Sequence, residues 1–155
     1  MDDVAILMAI ERIKRLKGKY QRCVDSKDWE GLAECFTEDA TAAYDSGKYS
    51  FSPGAKIVEF LRDSLGSSQV VSLHQVHTPE IDVLSENEAR GIWYLQDYVI
   101  NLEANTTLVG AGFYHDEYVR QEGEWKIRHT GYERTFEQWE DRGEHPSLKV
   151  RHRFG

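Results

Sequence analysis

The sequence has few of the residues that cross-link small proteins or build metal clusters. Only Cys23 and Cys35 occur among 155 residues, without CxxC spacing and without a secretory segment before them. Cysteines in this setting are reduced thiols by default, so we expect a cytoplasmic protein. The histidines lack HExxH-type spacing, and no GxSxG elbow or phosphate-cradling glycine loop is present. General acid–base chemistry without a metal or cofactor is the enzymatic class that remains.

The chain also lacks long apolar runs and an excess of positive charge. No stretch approaches the ~18 apolar residues that a membrane span requires. The formal net charge is −8, which repels the phosphates of nucleic acids and anionic membranes. The exception is a basic C-terminal segment with Lys149, Arg151, His152 and Arg153, which we interpret as an exposed or interface-bound tail. Neither nucleic acid nor a membrane is therefore an expected partner.

Three helices are predicted in the first part of the chain. Apolar residues with helical spacing predict an amphipathic helix from about Asp3 to Val24. Asp28 is a suitable N-cap for a second, short helix. Its expected buried stripe consists of Trp29, Leu32, Ala33 and Phe36. A third helix is predicted after Ser52 as cap and Pro53 in the first turn, ending at Gly66.

The rest of the chain is rich in predicted strands. Residues 40–44 and 49–51 flank a turn with Gly47 and predict a short hairpin. Further strands are predicted at Val70–His77, Ile81–Leu84, Ala89–Leu102, Thr107–Gln121 and Glu124–Phe136. Interior glycines permit bends in these long strands. Helices that precede such a meander predict one α+β domain over residues 1–155, with the helices on a strongly curved sheet and one enclosed pocket.

Two strand positions are candidates for chemistry. His74 and His77 lie three residues apart on one strand, which places them on opposite faces, and periodicity does not choose which faces the pocket. Asp97 interrupts an apolar strand and shares its side with Trp93 and Leu95. A buried carboxylate needs a countercharge or hydrogen bonds, so a histidine or arginine is expected nearby unless the pleat turns Asp97 to solvent.

Residues on the first helix and the last strand are weaker candidates. Tyr20 continues the apolar stripe of the first helix. Asp25 lies at the C-terminal end of that helix, where the helix dipole disfavours a carboxylate, so it is either retained for a purpose or solvent-exposed. Arg128 and Arg134 share one side of the last strand, and either could hold a substrate oxygen or form a salt bridge.

Four segments together resemble a known family. They are Leu16-Lys17-Gly18-Lys19-Tyr20 with Asp25, then Leu73 to Ile81 (LHQVHTPEI), Trp93 to Asp97 (WYLQD) and Thr130 to Arg134 (TGYER). Over residues 8–140 they look like the SnoaL-like branch of the nuclear-transport-factor-2-like (NTF2-like) superfamily. Within it the resemblance is closest to bile-acid 7α-dehydratases, with scytalone dehydratases and hexachlorocyclohexane dehydrochlorinases more distant.

The resemblance implies a conical α+β barrel that works without metal or cofactor. It matches His74, rather than His77, to the catalytic base and Asp25 to the partner of that histidine. It matches Asp97 to a facing carboxylate and Tyr20 to a phenolic acid or oxyanion donor. The expected substrate-binding residues are Tyr44, Arg134, Trp93 and Phe113. The resemblance also implies a homo-oligomer, a trimer or else a dimer, with the tail from about residue 141 to 155 at the subunit interface.

The expected function is a hydro-lyase that eliminates water from an apolar, steroid-like or polycyclic hydroxy-ketone. His74 would remove a proton beside a carbonyl, and Tyr20 would assist the developing oxyanion or the departing hydroxyl. Two alternatives remain open. A ketosteroid-isomerase-like enzyme could use Asp97 with Tyr20, and a non-catalytic binding protein could keep the same pocket, because one fold carries many functions.

Overall fold

Helix α1 (Asp3–Ser26) is the long N-terminal element of the computed structural model, which describes residues Met1–Gly155. The Asp2 side chain caps it by accepting a hydrogen bond from the Ala5 N–H. It ends at Lys27, whose left-handed backbone (φ 58°) lets its N–H reach the Cys23 and Val24 carbonyls. The predicted helix is confirmed, two residues longer than expected. None of the helices combines the length and hydropathy needed to cross a lipid bilayer.

Helix α2 (Trp29–Ala33) is shorter than its predicted apolar stripe. Asp28 caps it as expected, by accepting from the Gly31 N–H. The prediction for the end of the stripe is wrong: Ala33 is exposed, and Phe36 already begins the first strand. The apolar spacing continued past the helix because a buried strand follows it directly.

The first hairpin and helix α3 form one side of the fold. Strands β1 (Phe36–Tyr44) and β2 (Tyr49–Phe51) pair antiparallel, which confirms the predicted hairpin. Helix α3 (Gly54–Leu65) follows, but Ser52 does not cap it. Its hydroxyl donates to the Ala40 carbonyl instead, and Pro53 is the N-cap without a side-chain bond. Ser52 therefore ties the start of α3 to strand β1.

Four long strands complete the sheet: β3 (Val70–Val83), β4 (Glu88–Asn101), β5 (Thr106–Gln121) and β6 (Glu124–Asp141), followed by a 3₁₀ turn at Arg142–Glu144. Strand β3 replaces two predicted strands. Its register shifts between His77 and Glu80, where Thr78 has φ 40°, so a bulge continues the strand where Pro79 suggested an end. Strand β6 runs past Phe136 because it stays paired with β5 as far as Asp141.

The sheet order is β2-β1-β6-β5-β4-β3. All neighbours are antiparallel except β1 and β6, which are parallel, so the sheet is mixed. Register shifts in β3, β5 and β6 add curvature. Helices α1 and α3 contact the same sheet, and one cluster of 22 buried residues joins helices and strands. The α+β fold with helices on a curved sheet is therefore confirmed.

Candidate active site

A cavity of about 320 Å³ lies between the helices and the sheet. Eleven of its 16 lining residues are hydrophobic. The aromatic ones come from separate elements: Tyr20, Tyr44, Tyr49, Phe60, Tyr114 and Tyr132. The polar ones include His74, Asp97 and Arg134. An apolar cavity with a few convergent polar groups is the usual form of a small-molecule site.

His74 is held by the carboxylate of Asp25. Asp25 Oδ1 lies 2.6 Å from His74 Nδ1, and Oδ2 accepts a 2.7 Å hydrogen bond from the His74 backbone N–H. The Ser72 hydroxyl donates to Oδ1 at 2.8 Å. Because an ionised carboxylate only accepts, Nδ1 carries the proton and Nε2 keeps a free lone pair. The arrangement prepares the imidazole to act as a base.

The faces of β3 separate the two histidines. His74 is part of the cavity wall, with 12% of its side chain exposed. His77 is exposed and contributes to a shallow depression on the other side of the sheet. The expectation that only one histidine faces the pocket is confirmed.

Asp97 and Arg134 form a two-pronged ion pair in the cavity wall. Each oxygen of Asp97 accepts a 2.7 Å hydrogen bond from a different terminal nitrogen of Arg134. These bonds raise the pKa of Arg134 further. Gly110 lies beside Asp97 on β5, and a Cβ there would collide with the Arg134 guanidinium. Of the two partners considered for Asp97, arginine is correct.

Two phenols meet in the wall of the cavity. The hydroxyls of Tyr20 and Tyr44 are 2.6 Å apart, and both side chains are buried. Burial raises the pKa of Tyr20 and of Tyr44, so both stay protonated at neutral pH. Only one of the two protons can lie between the oxygens. The other O–H remains available to an oxygen atom in the cavity.

A second buried charge network supports the aromatic wall. Lys17 Nζ lies 2.7 Å from Asp116 Oδ2 as an ion pair and 3.5 Å from the Tyr114 ring centroid. Burial lowers the pKa of Lys17, and Asp116 opposes that shift. Asp116 also accepts hydrogen bonds from Tyr118 and Thr130. Sequence reasoning missed this pair, although Asp116 shares the buried side of β5 with Tyr114.

Two expected pocket residues lie elsewhere. Trp93 is in the core, where its indole N–H donates to the Tyr118 hydroxyl at 2.9 Å. Phe113 has the opposite strand parity to Tyr114 and packs on Tyr94 with ring centroids 4.5 Å apart. The structure therefore does not bring Trp93 or Phe113 to the cavity, whereas Tyr44 and Arg134 line it as expected.

Gln21 is a cavity-wall residue that sequence reasoning did not single out. It is 5% exposed, and neither atom of its amide makes a well-directed hydrogen bond. The amide is near enough to the Tyr114 phenol to oppose the upward shift that burial gives the pKa of Tyr114. The sequence signal that could have identified Gln21 as a cavity residue was its position next to Tyr20 on α1. No cluster of three or more histidine, cysteine or acidic side chains could hold a metal ion.

The family model for SnoaL-like domains matches residues 5–131. The chain belongs to the SnoaL-like family. The matched range of this SnoaL-like domain includes the bulge at Thr78, the Asp25–His74 pair that joins α1 to β3, and Tyr20 on α1. The family resemblance of the sequence motifs is thereby confirmed.

Solved structures with the same fold include named enzymes. A proposed scytalone dehydratase from Novosphingobium aromaticivorans has a TM-score of 0.82 at 21% identity, covering 97% of this chain and 94% of that one. Hexachlorocyclohexane dehydrochlorinase LinA-type3 from Novosphingobium barchaimii gives 0.79 at 18% identity, covering 88% and 93%. ActVI-ORFA from Streptomyces coelicolor gives 0.69 at 18% identity, covering 82% and 97%. At these identities the matches establish the NTF2-like fold.

Proposed function

We propose that this SnoaL-like protein is a cofactor-independent hydro-lyase that removes water from an apolar hydroxy-ketone. The observation that carries the proposal is the Asp25–His74 pair in the wall of an apolar cavity. The structural relatives named as a dehydratase and a dehydrochlorinase support an elimination reaction. Because the sequence identity of these relatives to this chain is low, the proposal rests mainly on the geometry of the site itself.

The first step assigned to the site is proton removal from carbon. His74 Nε2 takes a proton from the carbon beside the substrate carbonyl, and Asp25 stabilises the imidazolium that forms. The electron pair moves into the carbonyl group to give an enolate oxygen. Because Asp25 contacts both the ring and the backbone of His74, the ring is already oriented before the substrate binds.

The second step is loss of the hydroxyl. The free O–H of the Tyr20–Tyr44 pair donates a hydrogen bond to the enolate oxygen or to the leaving hydroxyl. The enolate collapses to a carbon–carbon double bond, and the proton held by His74 leaves with the hydroxyl as water. Arg134, held by both oxygens of Asp97, is a further polar group of the cavity wall. The cycle consumes no cofactor.

The cavity favours an apolar substrate with a few oxygens. Most of its lining is hydrophobic or aromatic, and the one arginine in the lining is already paired. A neutral polycyclic or steroid-like hydroxy-ketone would cover the aromatic wall and present its oxygens to the phenols. A sugar or a nucleotide would leave many polar groups without partners.

We also propose that the protein is a cytoplasmic homo-oligomer, a trimer or a dimer. The outer face of the sheet exposes large apolar side chains that no element of the chain covers: Tyr94, Tyr98 and Phe136. Exposed apolar patches of this kind commonly form subunit interfaces. The tail beyond residue 141 follows β6 at the edge of this face, where a neighbouring subunit could hold it.

The isomerase alternative would make Asp97 the base. Both oxygens of Asp97 already accept hydrogen bonds from Arg134, so neither is free to take a proton from a substrate. His74, with a free Nε2, has no such restriction. The geometry therefore favours the histidine as base.

Mass spectrometry of product mixtures tests the proposal. The purified protein is incubated with hydroxylated 3-oxo steroids and small bicyclic hydroxy-ketones, beside His74→Ala and the matched control His77→Ala. Loss of one water with the native protein and His77→Ala, and at least a ~10²-fold slower rate with His74→Ala, is expected. A mass-neutral product would indicate an isomerase. Ligands that bind and remain unchanged would indicate a binding protein.

A further inference from the structure

A second cavity lies on the opposite side of helix α1 and is strongly basic. It measures about 480 Å³ and is bounded by α1, by Glu34 after α2 and by the turn between β5 and β6. We call it the basic groove. Its charged residues are Arg12, Arg15, Lys19, Arg22, Lys126, Glu34 and Glu124. It shares no lining residue with the active-site cavity.

Positive charge is concentrated here in an acidic protein. Five cations face two carboxylates in the groove, whereas the whole chain has a formal net charge of −8. A chain with 27 acidic residues has enough carboxylates to neutralise every basic cluster. The excess in the groove is therefore a local feature that the overall composition does not explain.

The two lysines are engaged within the protein. Lys19 forms an ion pair with Glu34, and Lys126 donates to the backbone carbonyl of Glu34 and lies 3.6 Å from Glu124. The two carboxylates are thus neutralised by lysines. The contacts of Lys19 and Lys126 with Glu34 also join α1 and β6 to the end of α2, and so hold the walls of the groove together.

The three arginines have no partner. Arg12, Arg15 and Arg22 are exposed and form no ion pair or side-chain hydrogen bond. With Lys19 they follow one helical face, since spacings of three and four residues bring side chains together. Like charges at these spacings destabilise a helix unless an anion lies between them. The pattern is costly for the free protein and becomes favourable when an anion binds.

The floor of the groove is rigid and partly apolar. Leu16 and Trp125 are 9% and 6% exposed and close the bottom. Gly123 has φ 81° and lets the β5–β6 turn fold back as one wall. A concave, fixed floor suits a compact ligand better than an extended polymer, which needs an open track.

We propose that the basic groove binds a small polyanion that carries a diphosphate or triphosphate group. Three free guanidinium groups along the α1 wall of the groove match several phosphate oxygens, because each guanidinium can donate two parallel hydrogen bonds. The acidic remainder of the surface disfavours a long polyanion such as RNA. The inference is independent of the proposed dehydratase activity, since it uses none of the cavity residues.

Calorimetric titration with inorganic pyrophosphate and tripolyphosphate tests the proposal. The variant combines Arg12→Gln, Arg15→Gln and Arg22→Gln. The matched control combines Lys48→Gln, Lys56→Gln and Arg62→Gln, which changes the net charge equally at exposed sites outside the groove. Single Arg15→Gln serves if the triple variant does not fold. The Trp125 indole N–H resonance reports whether binding occurs at the groove.

Saturable binding to the native protein that moves the Trp125 resonance is expected. The groove variant should bind at least about 30-fold more weakly, and the control less than about 3-fold. No binding to the native protein, or equal weakening in both variants, overturns the proposal. Tighter binding of an oligonucleotide or a polyglutamate peptide than of tripolyphosphate at the same salt also overturns it, because the ligand would then be a macromolecule.

Discussion

Asp25 accepts hydrogen bonds from both the imidazole and the backbone N–H of His74. The first bond fixes the ring tautomer, and the second fixes the carboxylate against strand β3. Ring and carboxylate therefore form one rigid unit, although α1 carries one residue and β3 the other. Catalysis that depends on this unit is sensitive to changes that keep the shape of Asp25 and remove its charge.

Asp25→Asn should lower the turnover number by ~10²-fold or more with little change in fold. The amide cannot stabilise an imidazolium as the carboxylate does and can hold the ring in the wrong tautomer. Turnover of the hydroxy-ketone identified by mass spectrometry measures the effect, with Asp28→Asn, which alters a helix cap, as the control. A loss below about threefold would contradict a role for Asp25 in orienting the base.

Removing Arg134 should destabilise the protein more than removing both members of its pair. Arg134→Met leaves the carboxylate of Asp97, 4% exposed, without its partner. The expected loss in the free energy of unfolding is about 3 kcal/mol, because an unpaired buried charge costs that much. The double variant Arg134→Met with Asp97→Leu should recover at least half of it. Urea unfolding measures both, and a loss in the double variant as large as that of Arg134→Met alone would contradict the prediction.

The stability of the protein should fall steeply above pH 10. Burial raises the pKa of Tyr20, Tyr44, Tyr114 and Tyr118 above the ordinary value of 10.0. The unfolded chain then loses protons that the folded chain keeps, so the stabilisation is complete below pH 10 and is lost as pH rises. Each such tyrosine contributes up to ~1.4 kcal/mol per pH unit.

Tyr44→Phe tests this pH dependence. Its free energy of unfolding should fall less steeply between pH 10 and 11.5 than that of the native protein, since one titrating group has been removed. Tyr94→Phe is the matched control, because Tyr94 is 52% exposed. The same slope in both variants would mean that Tyr44 does not contribute to alkaline unfolding.

Gln21→Leu should stabilise the protein by up to about 1 kcal/mol. The buried amide lacks well-directed hydrogen bonds, and an apolar side chain of similar size removes that cost. Thr37→Val is a companion test, because the Thr37 hydroxyl is also buried without a partner and lies outside the cavity. Thermal unfolding measures both. A lower melting temperature for Gln21→Leu would show that the amide does have a structural partner.

Charged substitutions on the outer face of the sheet should dissociate the proposed oligomer. Tyr94→Lys with Phe136→Glu places two charges in an apolar patch and removes the area that a neighbour would cover. Sedimentation velocity should show an oligomer for the native protein and a monomer for the variant. Val4→Lys with Leu7→Glu, at exposed positions of α1, is the control. A native monomer would contradict the proposal.

Elements with strong local signals were predictable from sequence. Helix α1 and the hairpin of β1 and β2 have clear periodicity and turn residues, and the structure confirms them. Alternation along β4 put Asp97 on the same side as Trp93 and Leu95, and an interior position for that side required a cation or hydrogen bonds nearby. These signals depend on neighbours in the chain, and the sequence contains them in full.

Features that depend on distant partners were not predictable in the same way. The bulge at Thr78 joins two predicted strands because β4 pairs with both halves, and pairing is not visible in a single strand. The Lys17–Asp116 pair forms only because helix α1 packs against strand β5, which lies about a hundred residues further along the chain. Trp93 has the inward parity that was expected, but its distance along β4 places it in the core rather than in the cavity.

The extra residue at Thr78 changes which residues of strand β3 face the interior, from even-numbered before the bulge to odd-numbered after it. Before it, even-numbered residues such as His74 and Val76 face the helices, whereas after it Ile81 and Val83 do so. One edge strand can thus be divided into a catalytic half and a packing half that vary independently. Deleting Thr78 would remove the bulge, and a regularly alternating strand would then still hold His74, Val76, Ile81 and Val83 on one face, so the bulge sets the local twist of β3 while both halves keep the same inner face.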